Sequence, residues 1–365
     1  MPLIPAARLA PFHPARFPYA RFALTLGLGG VAGTLFQALG VPLPWMLGPM
    51  CACLAAVLIG MPVAAPAVVR PPMTAMIGVM LGANFTPELV SHIPQWASTL
   101  VLQTGLVLLL GLAGALYYRR LAGLDPVTAY YAGMPGGLME MSLIGEEQGG
   151  DGQTIMLIHS ARILIVVMTV PFVVQFLEGV QLGPRVASRL SVVETPWTTF
   201  VWLIGLGFAG VVIGNRLKLP ARNLFGPMLL SMAVHATGLT DFLVPKEVII
   251  GAQILLGCVT GCRFLGYDRR AILRILALSA GATAILLVIT VIYCFGLSRL
   301  VGLSMAQGLL GFAPAGISEM SLIAIALHFD VSFVIVHQIA RIAMIAIFGP
   351  IVFRWIGWNR PHGSS

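Results

Sequence analysis

Two carboxylates sit in near-identical apolar surroundings, Glu140 within PGGLMEMSL at residues 135–143 and Glu319 within PAGISEMSL at 314–322. An ionised acid in such a run is costly unless something offsets its charge, so each acid marks either a functional site or a fixed ion pair. One arginine follows each acid inside the next apolar run, Arg162 and Arg341. The pattern predicts Glu–Arg pairing, within one copy of the motif or between the two copies. A histidine shares a helical face with each arginine, His159 three residues before Arg162 and His337 four before Arg341. Because imidazole titrates near neutrality, these two are candidates for a proton relay, with hydrogen-bonded packing as the alternative. They are not equivalent positions, since the shift that superposes the motifs sets His159 opposite Gln338.

The backbone beside the acids carries chemistry of its own. Pro135-Gly136-Gly137 and Pro314-Ala315-Gly316 interrupt helix formation, and broken backbone at membrane depth is tolerated only inside protein or against a water-filled cavity. A helix resuming after each break presents free N–H groups and a positive dipole end, which suit an anionic group. The expected substrate- or coupling-ion-binding set is Glu140, Glu319, Arg162, Arg341, Gly136, Gly137, Ala315 and Gly316, with the motif serines Ser142 and Ser321.

These residues need a bilayer-embedded scaffold. The chain has 365 residues, 58% hydrophobic and 9% charged, where a soluble domain carries about 25% charged residues; mean hydropathy is +0.94. Apolar runs, several near the roughly 20 residues that span a bilayer, recur at 22–40, 43–60, 96–118, 153–178, 197–215, 223–240, 272–298 and 332–353. The fold class is an all-α polytopic membrane protein. Arg8, Arg16 and Arg21 precede an apolar stretch with no small-x-small cleavage site, so a retained first span is expected rather than a cleaved signal peptide. The net charge of +8 is scattered over short connections, which argues against direct nucleic-acid binding. Five cysteines, all in apolar segments and without a C-x-x-C, read as small buried hydrophobes. The seven histidines form no H-x-H or H-x-x-x-H pair. No metal or other cofactor, and no enzyme, is expected from them.

The chain is written twice. A shift of 179 places Pro135 on Pro314, Glu140 on Glu319, Ser142 on Ser321, Asp151 on Asp330 and Arg162 on Arg341, and also Gly78 on Gly257 and Gly82 on Gly261. That constancy means internal duplication. If each P-[GA]-G segment enters and leaves on one side, each half crosses five times. Fifteen of the 21 Lys and Arg then lie inside and four outside, with Arg162 and Arg341 in the membrane; six crossings per half give 12 inside and 7 outside. Positive charge marks the cytoplasmic side, so two repeats of about five spans plus a re-entrant helix each, inverted in topology, are expected. The segments are a cytoplasmic N-terminus 1–21, repeat 22–180, linker 181–196, repeat 197–355 and tail 356–365, with both termini cytoplasmic. The G-P-M and G-x-x-x-G segments read as places of close helix approach.

The chain resembles the AbrB-duplication family of bacterial membrane proteins, through PWMLGPM at 44–50, AGMPGGLMEMS at 132–142 and PAGISEMS at 314–321. The resemblance covers nearly everything after about residue 25. It implies an inner-membrane protein whose relatives carry names pointing to regulation of gene expression or to ammonia monooxygenase activity, and it supplies no catalytic set. The reading favoured by the residues is a secondary transporter of a small, anionic solute, with the lipid bilayer and that solute as partners and oligomer formation left open. A membrane sensor acting indirectly on gene expression is the alternative, and a monooxygenase stands third.

Overall fold

The computed structural model describes residues 17–85, 96–179, 190–219 and 221–356. Most of the N-terminal segment, much of the linker and nearly all of the tail lie outside the described residues, and with them Arg8, Arg16, Arg185, Arg189 and Arg360 of the charge count. Fourteen α-helices and no strand occur among the described residues. In chain order the helices are α1 Tyr19–Ala38, α2 Pro44–Leu58, α3 Arg70–Gly82, α4 Ala97–Arg120, α5 Pro126–Gly133, α6 Leu138–Glu147 and α7 Gly152–Glu178. The remaining helices are α8 Trp197–Arg216, α9 Arg222–Ala236, α10 Lys246–Gly261, α11 Arg269–Val301, α12 Met305–Phe312, α13 Ile317–Ala326 and α14 Val331–Ile356. The starts of α5, α6 and α7 precede those of α12, α13 and α14 by the same 179 residues. Among the described residues seven helices are long and apolar enough to cross a membrane.

Local chemistry sets the helix ends. Asp125, Asp151, Asp268, Ser304 and Asp330 cap α5, α7, α11, α12 and α14 by accepting first-turn N–H groups. The Thr154 hydroxyl, and then backbone N–H groups, hold the Asp151 carboxyl below its ordinary value. This stabilisation is present above the unfolded-state pKa and is lost as pH falls through the depressed folded value. Asp151→Ala is expected to lower stability by about 1 kcal/mol, with the difference from wild type shrinking in acid, as thermal unfolding in detergent would record.

The chain forms two compact units, one from Met1–Ser91 and Leu182–Gly266, the other from His92–Gln181 and Tyr267–Ser365. Each unit takes helices from both sequence halves. In the first, α3 packs on α9 and α10 on α2. The G-x-x-x-G pairs make this possible. A Cβ on Gly78 would lie 2.5 Å from Leu224 O, and one on Gly257 2.5 Å from Met46 O, so the helix backbones touch where the G-P-M segments pass. Gly78→Ala or Gly257→Ala is expected to cost about 1–3 kcal/mol through overpacking against rigid backbone, measurable as a lower Tm with unchanged helix content.

In the second unit α5–α6 and α12–α13 are hairpins of two short helices each. Asp151 N, just after α6, donates to Thr128 Oγ1 in the first turn of α5 at 2.8 Å. At the counterpart of Thr128, Gln307 exchanges hydrogen bonds with the main chain of Asp330, both at 3.4 Å. The exit of each hairpin is therefore tied to its entrance. Helices of 8 and 10 residues rise only roughly 12 and 15 Å.

Candidate functional site

Each hairpin tip is a gap between two half-helices, and the polar side chains divide between its two ends. The C-terminal end of α5 is held from α7. Arg162, 2% exposed, donates through Nη1 to Met134 O at 3.0 Å and Ala132 O at 3.5 Å, and through Nη2 to His159 Nδ1 at 2.6 Å. With Nδ1 accepting, the proton of His159 sits on Nε2, which donates to Tyr131 O at 2.9 Å. A guanidinium at a helix C-terminus is favoured by the dipole and satisfies carbonyls that the helix leaves open.

The second hairpin repeats the device with different residues. Arg341, 1% exposed, donates to Ala313 O and, at 2.6 Å, to Ala315 O, clasping Pro314 from both sides. Gln338 Nε2 donates to Leu310 O at 3.0 Å and Ala313 O at 3.2 Å. Gln338, and not His337, is thus the structural counterpart of His159. The signal was the 179-residue offset, which sets Gln338 opposite His159. His337 instead ties α14 to α4, with Nδ1 on Phe333 O at 2.8 Å and Nε2 on Thr99 Oγ1 at 2.9 Å. In both rings both nitrogens are engaged in hydrogen bonds.

The acids lie at the opposite ends of the gaps, and the expected Glu–Arg pairs do not form: among the described residues neither Glu140 nor Glu319 makes an ion pair. Glu140 is in the first turn of α6 and Glu319 in the first turn of α13. Each folds back over the N-cap glycine of its own helix, so that a Cβ on Gly137 would fall on Glu140 Oε2 and one on Gly316 on Glu319 Oε2. The physical reason is that the break offers each charge a nearer compensation: carbonyls for the arginines, the positive helix end for the acids. Gly136 closes against Met141 and Ile345.

The hairpins differ in openness. Glu140 is half-buried, whereas Glu319 is 6% exposed. Ser142 donates to Gly152 O at 2.6 Å, but Ser321 Oγ is buried without a partner, as are Gln338 Oε1 and the Nε atoms of both arginines. Helices α12 and α13 touch α7, and α6 touches α14. Among the described residues no group of three or more His, Cys, Asp or Glu is arranged to hold a metal.

The family described as Transition state regulatory protein AbrB matches residues 45–357, which include every residue of both hairpins. The chain is 26% identical over 370 residues to "Uncharacterized protein YhjN" of Bacillus subtilis (strain 168), covering 93% of this chain and 94% of that one. It is 24% identical over 339 residues to "Putative regulator AbrB" of Escherichia coli (strain K12), covering 90% and 94%. A match of this extent, through both copies of the glutamate motif, means that the chain belongs to the AbrB family.

Proposed function

We propose that the protein is a secondary transporter of a small anionic solute in the bacterial inner membrane, with its site at the two hairpin tips. The observation that carries this reading is the pair of re-entrant hairpins, each broken beside a first-turn glutamate and clasped by a buried arginine. Discontinuous helices whose positive ends face the membrane interior are the usual housing for an anionic solute in secondary transporters. An arm of roughly 12–15 Å reaches about halfway through a hydrocarbon core of about 30 Å, so hairpins from opposite faces bring their tips to the midplane. Opposite faces follow if the halves are inverted, which the 15-to-4 distribution of basic residues favours.

Inverted halves place position 190 outside and position 218 inside. Single cysteines at the two sites should react with an impermeant thiol reagent from opposite sides of oriented vesicles; equal sidedness sinks the five-plus-five arrangement. Transport itself is tested by solute uptake into proteoliposomes under an imposed pH gradient. A regulatory name on a relative fits a carrier that alters expression through the level of its solute. A pure sensor would bind solute in the same vesicles without moving it.

A further inference from the structure

We propose that the solute binds at the N-terminus of α13 together with one proton, and that Glu319 is the tethered carboxylate it displaces; the inference rests on the transport reading for its setting. Helix α13 starts behind Gly316, and no side chain caps it. Its first internal bond runs from Met320 N to Gly316 O, which leaves the preceding N–H groups at the open helix end. Glu319 lies against that end, 6% exposed and, among the described residues, without an ion pair. At the same break Arg341, which clasps it, has its Nε–H buried without a partner. Polar groups left open inside protein are places where a ligand completes the bonding.

The chemistry selects an anion with a proton over a metal cation. A cation needs oxygen ligands and is repelled by the positive helix end, and the carbonyls at the break, Ala313 and Ala315, are already committed to Arg341. An anion finds donors, but an ionised Glu319 beside those donors repels it. Once a proton from water neutralises Glu319, the side chain can leave the helix end and the anion can take its place, so the charge of the site is unchanged by loading. The titratable groups on the helices packed against α13 are His337, Arg341 and, near the end of the helix, Arg354 on α14, and His159, Arg162 and, at its last position, Glu178 on α7; α12 has none. The two histidines and the two buried arginines already serve as clamps, which leaves Glu319 as the group that takes up the proton. Glu140 repeats the arrangement at α6 in a more open form.

The glycines follow from the same geometry. Gly137 and Gly316 have φ of −69° and −80°, values open to any L residue, so it is the folded-back carboxylate and not the backbone that excludes a Cβ. A side chain there would push the acid off the helix end.

The test uses purified full-length protein with formate, acetate, chloride and inorganic phosphate as probes, and sodium and methylammonium as cation controls. Binding is read by thermal stabilisation at about pH 5.5 and about pH 7.5, and protonation by infrared difference spectra of the carboxyl stretch. One or more of the anions should bind with affinity rising about tenfold for each unit of falling pH, accompanied by a new protonated-carboxyl band. Glu319→Gln should bind the same anion without the pH slope and without the band, and Gly316→Ala should bind it more tightly at the higher pH. Binding by none of the four anions, equal affinity at both pH values, preference for the cations, or a slope that survives in folded Glu319→Gln overturns the proposal. The wild-type infrared result decides it even if that variant fails to fold. Proton-linked binding without flux in proteoliposomes sinks the transport reading and leaves this exchange standing; flux indifferent to pH does the reverse.

Discussion

Arg341→Ala should destabilise the protein by about 2–4 kcal/mol, because it strips a buried carbonyl at Ala315 of its donor and leaves a cavity the size of a guanidinium. Ala313 O keeps the bond from Gln338, which limits the loss. Arg341→Lys should recover less than half of it, since an ammonium is a point donor and cannot span the carbonyls on both sides of Pro314 as the planar fork does. Arg162→Ala is expected to be comparable, with the buried Nδ1 acceptor of His159 and the Met134 carbonyl left open. The measurement is thermal or denaturant unfolding in detergent, with expression level as the companion readout. Double mutants sharpen it. If arginine and glutamate were a buried ion pair, Glu140→Gln would rescue Arg162→Gln by removing the stranded charge. With carbonyls as the arginine's partners, the two losses should add, with a coupling energy within about 0.5 kcal/mol of zero. A rescue larger than that would restore the ion-pair view.

Glu140→Gln and Glu319→Gln should do the opposite, leaving a folded, membrane-inserted protein that no longer couples solute movement to protons. Among the described residues neither acid has an ionic partner to strand, and glutamine nearly preserves the shape, so stability should stay within about 1 kcal/mol of wild type. Uphill accumulation driven by a pH gradient should vanish, and Glu319→Gln should show the larger effect because its carboxylate is the buried one. Exchange of solute down its own gradient should persist in at least one of the two variants. Full uphill accumulation by a stable Glu319→Gln protein would remove that residue from the coupling step.

The sequence alone determined the class of the protein and the position of its helices. The apolar runs at 153–178, 197–215 and 332–353 became α7 Gly152–Glu178, α8 Trp197–Arg216 and α14 Val331–Ile356, because span length and aspartate caps are local properties. The interruptions at Pro135 and Pro314 were equally legible, since proline and glycine act on their own backbone. The partners of the charges were not. Sequence pattern pairs opposite side-chain charges, whereas Arg162 and Arg341 bind main-chain carbonyls, which every residue carries and which leave no trace in residue type. Only the folded hairpin decides which carbonyls face them. The grouping of helices was hidden for a related reason: Gly78 and Gly257 announce a close approach, but the helix approached lies in the other half of the chain. Tertiary packing alone chooses that partner, which is why two tandem halves in sequence contribute jointly to each compact unit in space.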